Sequence, residues 1–293
     1  MSITILYTII SLSLLGAVAA IVLYFVAQRF KVYEDPRIDL VEAELPAANC
    51  GGCGYAGCRN LAETMVKSAS FDSLFCPVGG NETMVRIAVI LGREAIAQEA
   101  RVAVLRCNGT CEYRPRTSKY DGAQSCTIAS ALYSGETGCN YGCHGFGDCV
   151  VVCNFDALHM DPQTGLPVVD EQKCTSCGAC VKACPRNLFE LRKRWKGAKK
   201  IYVACRNEDK GGTAKKNCAV ACIGCSKCLK ICPHEAIVMK NNLAFIDSEK
   251  CRLCRKCPPE CPTNSIIETG FPARKSISDE QTDESNVTAK KEE

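Results

Sequence analysis

Two cysteine runs near the C-terminal end of the chain define the chemistry that this sequence can perform. Both follow the pattern C-x2-C-x2-C-x3-C-P, in the segments CIGCSKCLKICP (222–233) and CRLCRKCPPECP (251–262). Thiolates at this spacing ligate [4Fe–4S] clusters: three closely spaced cysteines hold one cluster, and the cysteine before proline reaches across to the other. We therefore predict two clusters, with the ligand sets Cys222, Cys225, Cys228 and Cys261, and Cys232, Cys251, Cys254 and Cys257.

Zinc sites and disulfides are the competing explanations for so many cysteines. A single C-x-x-C pair is more often a zinc site or a redox pair, but two complete tandem runs with a proline after the fourth cysteine favour iron–sulfur clusters. The 293-residue chain has 25 cysteines, an odd number in a chain longer than the small secreted domains that depend on disulfides. Because cluster thiolates need a reducing compartment, we expect the cysteine-rich part to face the cytoplasm.

The same pattern recurs earlier in the chain, which indicates an internal repeat. The cysteines of CNYGCHGFGDCVVVCN lie 79 positions before Cys218, Cys222, Cys228 and Cys232, and those of CTSCGACVKACP lie 77 positions before the run at 251–262. Phe146 stands at the position of Cys225, so the earlier triplet comes from the other three positions. The predicted ligand sets are Cys139, Cys143, Cys149 and Cys184, and Cys153, Cys174, Cys177 and Cys180. By the same register either Cys218 or Cys225 is spare, and the tighter spacing favours Cys225 as the ligand.

A further cysteine module follows the N-terminal segment. It contains the block NCGGCGYAGC and a later Cys-Pro pair, and its four cysteines are Cys50, Cys53, Cys58 and Cys76. The glycines let the backbone wrap closely around a cluster, with N–H groups turned towards its sulfurs. We predict a [4Fe–4S] cluster here, with zinc as the alternative, and a helix that begins at Cys58.

Five central cysteines match no ferredoxin unit: Cys107, Cys111, Cys126, Cys205 and Cys218. Cys107, Cys111 and Cys126 either ligate a further cluster with a borrowed cysteine or are buried thiols that behave as small apolar side chains. The structural interpretation is favoured, which gives five clusters, or six if the central cysteines bind one.

The N-terminal segment is predicted to anchor the chain in a membrane. Residues 3–27 are almost continuously apolar, and about 20 such residues span a bilayer as a helix. A cleaved signal peptide is the alternative, but no Lys or Arg precedes Arg29. Arg29 and Lys31 follow the span, so the positive-inside rule predicts a single-pass protein of the plasma membrane with its C-terminal bulk in the cytoplasm.

The predicted fold class is α+β, because the segments between the cysteine runs alternate apolar residues around turns and indicate hairpins. The expected organisation is an anchor (1–31), a linker (32–45), the N-terminal [4Fe–4S] module (46–100), a connecting segment (101–135), ferredoxin-like unit 1 (136–190), a basic connector (191–216), ferredoxin-like unit 2 (217–268) and a disordered tail (269–293). The basic connector is either a docking face for an acidic partner or a solvated or lipid-facing segment. The net charge of +4 is too small to indicate nucleic-acid binding.

The order of these blocks closely resembles the B-subunit family of Rnf electron transport complexes, with GCGYAGC and GCHGFGDC as the most specific motifs. The resemblance covers the chain to about Ile267. It implies a component of a membrane-bound ferredoxin:NAD⁺ oxidoreductase that couples electron flow to Na⁺ or H⁺ export, with partner subunits A, C, D, E and G and reduced ferredoxin as the electron donor. The resemblance places NAD⁺ and flavin sites on other subunits, and no dinucleotide-binding GxGxxG occurs at a strand–helix junction here.

The expected function is an electron relay through the clusters, without an acid, base or nucleophile of its own. Chain position suggests that electrons enter at the ferredoxin-like units and leave through the N-terminal module. Two alternatives stay open: a complex of the same type that runs in reverse or reduces an iron–sulfur sensor, and a non-redox zinc-binding membrane scaffold.

Overall fold

The computed structural model describes residues 3–30, 34–70, 74–95, 97–133 and 135–273. Its first element is a long helix, α1 (Ile3–Arg29), of which Ile5–Arg29 is apolar and long enough to cross a membrane. None of this stretch is buried against the rest of the protein, as expected for a helix whose apolar surface contacts lipid. Lys31 and the part of the expected tail after residue 273 lie outside the described residues.

Three helices form the N-terminal module: α2 (Arg37–Glu44), α3 (Cys58–Lys67) and α4 (Gly80–Leu91). Apolar residues three and four positions apart give each helix one apolar face, and these faces bury Val41, Met65 and Ile87 completely. Gly92 ends α4 in a left-handed conformation that costs glycine little. The start of α3 at Cys58 is as predicted.

The predicted linker at 32–45 is wrong for most of its length. Residues 37–44 form α2, and Ile38, Val41 and Leu45 are buried in the core of the module. Arg59 on α3 pairs with Glu34, Asp39 and Glu42, which fixes the start of this segment to the second helix. A short segment with so few apolar residues gives little helical signal in the sequence.

The remaining described chain forms two halves with the same strand pattern, in which an outer antiparallel pair encloses a hairpin. In the first half the outer pair is β1 (Arg101–Leu105) with β4 (Phe189–Lys193), and the hairpin is β2 (Leu158–Met160) with β3 (Pro167–Val169). In the second half the outer pair is β5 (Lys200–Val203) with β8 (Ile266–Thr269), and the hairpin is β6 (Ile237–Lys240) with β7 (Leu243–Ile246). Both hairpins agree with the sequence patterns.

Five short helices lie in the two halves, and four of them contain a cysteine. The helices are α5 (Cys126–Leu132), α6 (Asp148–Val151), α7 (Ala179–Ala183), α8 (Gly211–Asn217) and α9 (Lys227–Ile231), with a 3-10 turn at Lys196–Ala198, and α8 is the one without a cysteine. Helices α6, α7 and α9 each bury one cysteine in the core of their half: Cys149, Cys180 and Cys228. A residue with positive φ precedes each of these three helices, so the cysteine loop turns sharply into the helix.

The expected boundaries of the two units differ from the observed strand pairing. The connecting segment at 101–135 begins with β1, and the basic connector at 191–216 contains the end of β4, all of β5 and nearly all of helix α8. Each half therefore starts with a strand that pairs with its last strand, far along the chain. A five-residue strand whose partner lies nearly 90 positions away leaves no local signal of that pairing.

Two buried arginines join the halves. Arg106, 3% exposed, donates to the carbonyl oxygens of Val203 (3.3 Å) and Cys205 (3.2 Å). Arg192, 4% exposed, donates to the carbonyl oxygen of Ile246 at 2.6 Å. Glu190 forms ion pairs with both guanidinium groups, at 3.4 and 2.5 Å, which offsets part of the cost of burying two charges.

Candidate iron–sulfur sites

The first two cysteine sets lie in the second half. One cavity is lined by Cys222, Cys225, Cys228 and Cys261, and we name these four residues site 4. The backbone N–H of Ser265 donates to the Cys261 Sγ at 3.3 Å, and the Ser265 hydroxyl lies 3.2 Å from the same sulfur. Burial would raise the pKa of Cys261, but hydrogen bonds from Ser265 and Thr263 outweigh it and lower the pKa.

The partner set, Cys232, Cys251, Cys254 and Cys257, is named site 5. Burial raises the pKa of Cys257 to about 12, and the nearby thiols of Cys251 and Cys254 contribute in the same direction. Burial also raises the pKa of Cys251, with further upward contributions from Cys254 and Cys232. The fold thus brings the four predicted cysteines of this set together.

In the first half, Cys153, Cys174, Cys177 and Cys180 line one cavity, named site 3. Its apolar wall includes Ala103 of β1 and Leu191 of β4, so the outer strand pair closes the site from behind. Asn154 stands where the other runs have proline, yet Cys153 still faces the other three cysteines.

The other site of the first half differs from the predicted ligand set in one cysteine. The cavity there is lined by Cys143, Cys149 and Cys184, as expected, but its fourth cysteine is Cys126 rather than Cys139. These four residues are named site 2. Burial raises the pKa of Cys149 to about 12, and Cys126 and Cys184 are the neighbouring thiols that contribute in the same direction.

A carboxylate at the start of α6 explains why Cys126 reaches this cavity. Asp148 accepts hydrogen bonds from the backbone N–H groups of Cys126 (2.8 Å) and Thr127 (3.0 Å) and from the Ser125 hydroxyl (2.9 Å). It therefore holds the first turn of α5 directly beside Cys149, the next residue in its own helix. This tertiary contact has no counterpart in the cysteine spacing.

Cys139 lies in a different cavity, together with Cys107, Cys205 and Cys218. These four are named site 6. Four of the five cysteines that match no ferredoxin unit are thereby placed, three in site 6 and Cys126 in site 2. The remaining one, Cys111, is exposed.

Site 1 comprises the four cysteines of the N-terminal module: Cys50, Cys53, Cys58 and Cys76. Cys76 is 5% exposed, and Cys53 and Cys58 pack against the same core. The Gly79 N–H donates to the Cys76 Sγ at 3.3 Å. The Asn49 side chain accepts from the Cys58 N–H at 2.8 Å, which holds the residue before Cys50 against the start of α3.

The glycine loop of site 1 touches the cysteine loop of site 3. A Cβ atom added at Gly52 would lie 2.7 Å from the Cys177 carbonyl oxygen and 2.9 Å from its Cα, so only glycine fits at this contact. The Lys182 ammonium donates to the Gly51 carbonyl oxygen at 3.2 Å. These contacts place the N-terminal module against the first half at its cysteines.

The donor chemistry of these sites fits multi-iron clusters. A zinc ion would draw four sulfurs to about 2.3 Å from one point. Four thiols that line a cavity and accept N–H hydrogen bonds suit the larger [4Fe–4S] cluster instead.

Cavities lined by four cysteines within small α+β halves define an iron–sulfur protein. Family models agree with this class: a 4Fe-4S dicluster domain matches residues 221–265, a 4Fe-4S binding domain matches 167–190, and a putative Fe-S cluster family matches 45–71.

Curated relatives are similar over most of the chain. The B subunit of the Na⁺-translocating ferredoxin:NAD⁺ oxidoreductase complex of Acetobacterium woodii is 45% identical over 87% of this chain and 75% of its own. The B subunit of the ion-translocating oxidoreductase complex of Methanosarcina acetivorans is 41% identical over 91% and 99% of the two chains. The B subunit of the proton-translocating ferredoxin:NAD⁺ oxidoreductase complex of Clostridium ljungdahlii is 38% identical over 90% and 92%. This chain therefore belongs to the family of ion-translocating oxidoreductase complex B subunits, which confirms the resemblance to the Rnf family.

Proposed function

We propose that this chain is the electron-relay component of a membrane-bound ferredoxin:NAD⁺ oxidoreductase that couples electron transfer to Na⁺ or H⁺ translocation. The single observation that carries the proposal is the contact between Gly52 and Cys177, which joins the cysteine sites of the halves to the module next to the anchor. The names of the relatives in Acetobacterium woodii and Clostridium ljungdahlii support the reaction.

The proposed ligands are the cysteines of sites 1 to 5, with Cys126 in place of Cys139. A bound [4Fe–4S] cluster supplies one-electron redox chemistry. The protein holds the thiolates and donates N–H groups to their sulfurs, as Gly79 does at Cys76, Leu188 at Cys184 (3.4 Å) and Ser265 at Cys261. Such hydrogen bonds stabilise negative charge on sulfur and set the reduction potential of each site.

The two halves act as tandem ferredoxin-like units, because each has an outer strand pair, an inner hairpin and two four-cysteine sites. Reduced ferredoxin docks on these units, and electrons leave through site 1. The short distance in sequence between α1 and the N-terminal module supports an exit close to the membrane. Electrons then pass to other subunits of the complex, for which the family resemblance gives subunits A, C, D, E and G.

The orientation of the chain follows from the same scheme. A single N-terminal span keeps both units on the cytoplasmic side, where ferredoxin is reduced, and Arg29 after the apolar stretch supports this orientation. The cluster thiolates then lie in the reducing compartment that they require.

Replacement of one ligand in site 1 tests the relay. In the assembled complex, Cys53→Ala should abolish ferredoxin-dependent NAD⁺ reduction, because the exit site loses one of its four thiolates. The rate is measured with purified ferredoxin under anaerobic conditions. Cys111→Ala removes an exposed thiol outside the sites and should retain the wild-type rate. A wild-type rate in Cys53→Ala would mean that site 1 is not on the path.

A further inference from the structure

A large polar cavity of the first half lies beside site 2. It encloses about 370 Å³ of free space, which is within the range of small-molecule sites in proteins. Its walls come from the chain on both sides of α5, from the turn between β2 and β3, and from Arg186 after α7. The wall residues are far apart in sequence, so no local motif reveals this cavity.

Basic side chains dominate the charge of the cavity. Four cationic residues line it: Arg114, Arg116, Lys119 and Arg186. In the described part of the chain, Glu136 is the only carboxylate in its walls, and it pairs with Arg116 at 3.2 Å and accepts the Tyr120 N–H at 2.9 Å. Four cationic side chains against one carboxylate leave a formal surplus of three positive charges. Such a cavity attracts an anionic ligand.

Two of the arginines are held in place by the cysteine loop of site 2. Arg114 donates to the Cys143 carbonyl oxygen at 2.6 Å, and Arg186 donates to the Gly142 carbonyl oxygen at 2.6 Å. Both side chains are half-buried, and the Arg114 Nε is buried without a hydrogen-bond partner among the described residues. Lys119 is exposed and forms no ion pair with a described residue. The positive charge is therefore preorganised, and guanidinium and ammonium groups are the usual ligands of phosphate.

Aromatic rings form another part of the walls. His144, Phe146 and Tyr120 all line the cavity. The Phe146 ring stacks on that of His144 with centroids 6.1 Å apart, and its centroid lies 5.6 Å from that of Tyr120. Tyr120 in turn stacks on Tyr133 at 6.0 Å, which restrains the Tyr120 ring. Adjacent rings of this kind provide a surface for a planar base.

We propose that this cavity binds a mononucleotide, with its phosphate among the cationic side chains and its base against the aromatic rings. Inorganic phosphate would satisfy the charge but would leave most of the free space and the rings to water. An acidic protein would engage exposed cations on an open surface, whereas Arg114 and Arg186 are half-buried in the walls of a concave site. Binding of the nucleotide goes beyond the proposed relay and does not depend on it.

The nucleotide site is coupled to site 2, because Cys143 and His144 line both cavities. An electron added to a cluster in site 2 repels a phosphate bound next to it, so the oxidised protein should bind the nucleotide more tightly than the reduced protein. By reciprocity, the bound nucleotide lowers the reduction potential of site 2 by the same coupling. This coupling, unlike the binding itself, rests on the proposed function.

Calorimetric titration of the full-length, anaerobically purified protein tests the site. Adenosine 5′-monophosphate and cytidine 5′-monophosphate serve as probes, because stacking accepts a purine or a pyrimidine. At least one of them should bind saturably to the oxidised protein, and its nucleoside and inorganic phosphate should each bind roughly tenfold more weakly, because each lacks one of the two contacts. If neither mononucleotide binds saturably, or if inorganic phosphate binds as tightly, the proposal is wrong.

Variants assign the binding to this cavity. Arg116→Gln combined with Lys119→Gln should weaken nucleotide binding by roughly tenfold or more, because two cations are lost. The matched control is Lys215→Gln combined with Lys216→Gln, which removes two exposed charges of α8 outside the cavity and should bind as wild type does. Tyr120→Leu should weaken nucleotide binding and leave phosphate binding unchanged. Cluster absorption reports that each variant is folded, and wild-type affinity in the Arg116 and Lys119 variant would place the nucleotide elsewhere.

Two further measurements separate this site from the proposed relay. The same titration on dithionite-reduced protein should give a several-fold lower affinity, and equal affinities would overturn the coupling to site 2. If the Arg116 and Lys119 variant keeps its nucleotide affinity but has a raised KM for ferredoxin, these cations dock an acidic protein and the nucleotide site is wrong. A complex that fails to reduce NAD⁺ with ferredoxin would contradict the relay alone, because the titration on oxidised protein involves no electron transfer.

Discussion

At the scale of single residues, hydrogen bonds to sulfur distinguish the sites from one another. Cys261 receives both the backbone N–H and the hydroxyl of Ser265, whereas Cys184 accepts from the Leu188 N–H and Cys76 from the Gly79 N–H. The side chain of Ser265 is buried, so this bond is shielded from water. Because donors to sulfur favour the reduced, more negative cluster, we expect the potential of site 4 to depend on this hydroxyl.

Ser265→Ala should therefore lower the reduction potential of site 4. Loss of one hydrogen bond worth about 1 kcal/mol corresponds to roughly 40 mV for a one-electron couple. The potential is measured by redox titration monitored by electron paramagnetic resonance. Thr263→Val serves as the graded control, because the Thr263 hydroxyl lies farther from the Cys261 Sγ, at 3.8 Å, and should shift the potential less. Equal potentials in wild type and Ser265→Ala would exclude this role.

At the scale of elements, the contact between the glycine loop of site 1 and the cysteine loop of site 3 determines how the module meets the first half. Gly52 approaches the backbone of Cys177, and Lys182 at the end of α7 holds the adjacent carbonyl oxygen of Gly51. The contact lies between backbone atoms of two cysteine loops, so no side chain separates them. A larger residue at position 52 must move one loop away from the other.

Gly52→Val should slow electron transfer from site 3 to site 1 several-fold while the iron content stays unchanged. The added carbons would overlap the Cys177 backbone, since even a single Cβ comes within 2.7 Å of its carbonyl oxygen. Rapid-mixing reduction with ferredoxin measures the rate at which site 1 becomes reduced. Gly212→Ala on α8 is the matched control, because a Cβ there meets nothing within 4 Å. An unchanged rate in Gly52→Val would show that this contact does not determine the transfer.

The sequence predicts some of the cysteines that lie together in each site and misses others. The tandem cysteine runs predict the residues that surround sites 3, 4 and 5, because those cysteines are local in sequence and lie beside short helices. Spacing does not reveal Cys126, because Asp148, across 22 positions, brings it to site 2. The internal repeat gives a wrong prediction for Cys139. It aligns Cys139 with Cys218 and so suggests one site for each residue, whereas the structure places both residues in the same cavity.

At the scale of the whole molecule, the interface between the halves buries some of the cationic side chains of the predicted basic connector. Arg192 is buried beside Glu190 and Ile246. Lys200 pairs with Glu171, and its side chain is only 13% exposed. Lys196 and Lys199, which also belong to the segment predicted as the basic connector (191–216), are exposed. A docking surface for an acidic ferredoxin must therefore use these exposed lysines and not Arg192 or Lys200.

Lys196→Glu combined with Lys199→Glu should raise the apparent KM for ferredoxin several-fold at low ionic strength. Exposed charges attract an oppositely charged partner and raise its association rate, and salt screens this effect beyond about 10 Å at 0.1 M. The KM is measured in the assembled complex from low to high salt, and the two proteins should converge as salt rises. Lys196→Arg with Lys199→Arg keeps both charges and should match wild type. If the double reversal leaves both the KM and its salt dependence unchanged, ferredoxin docks on another face of the protein.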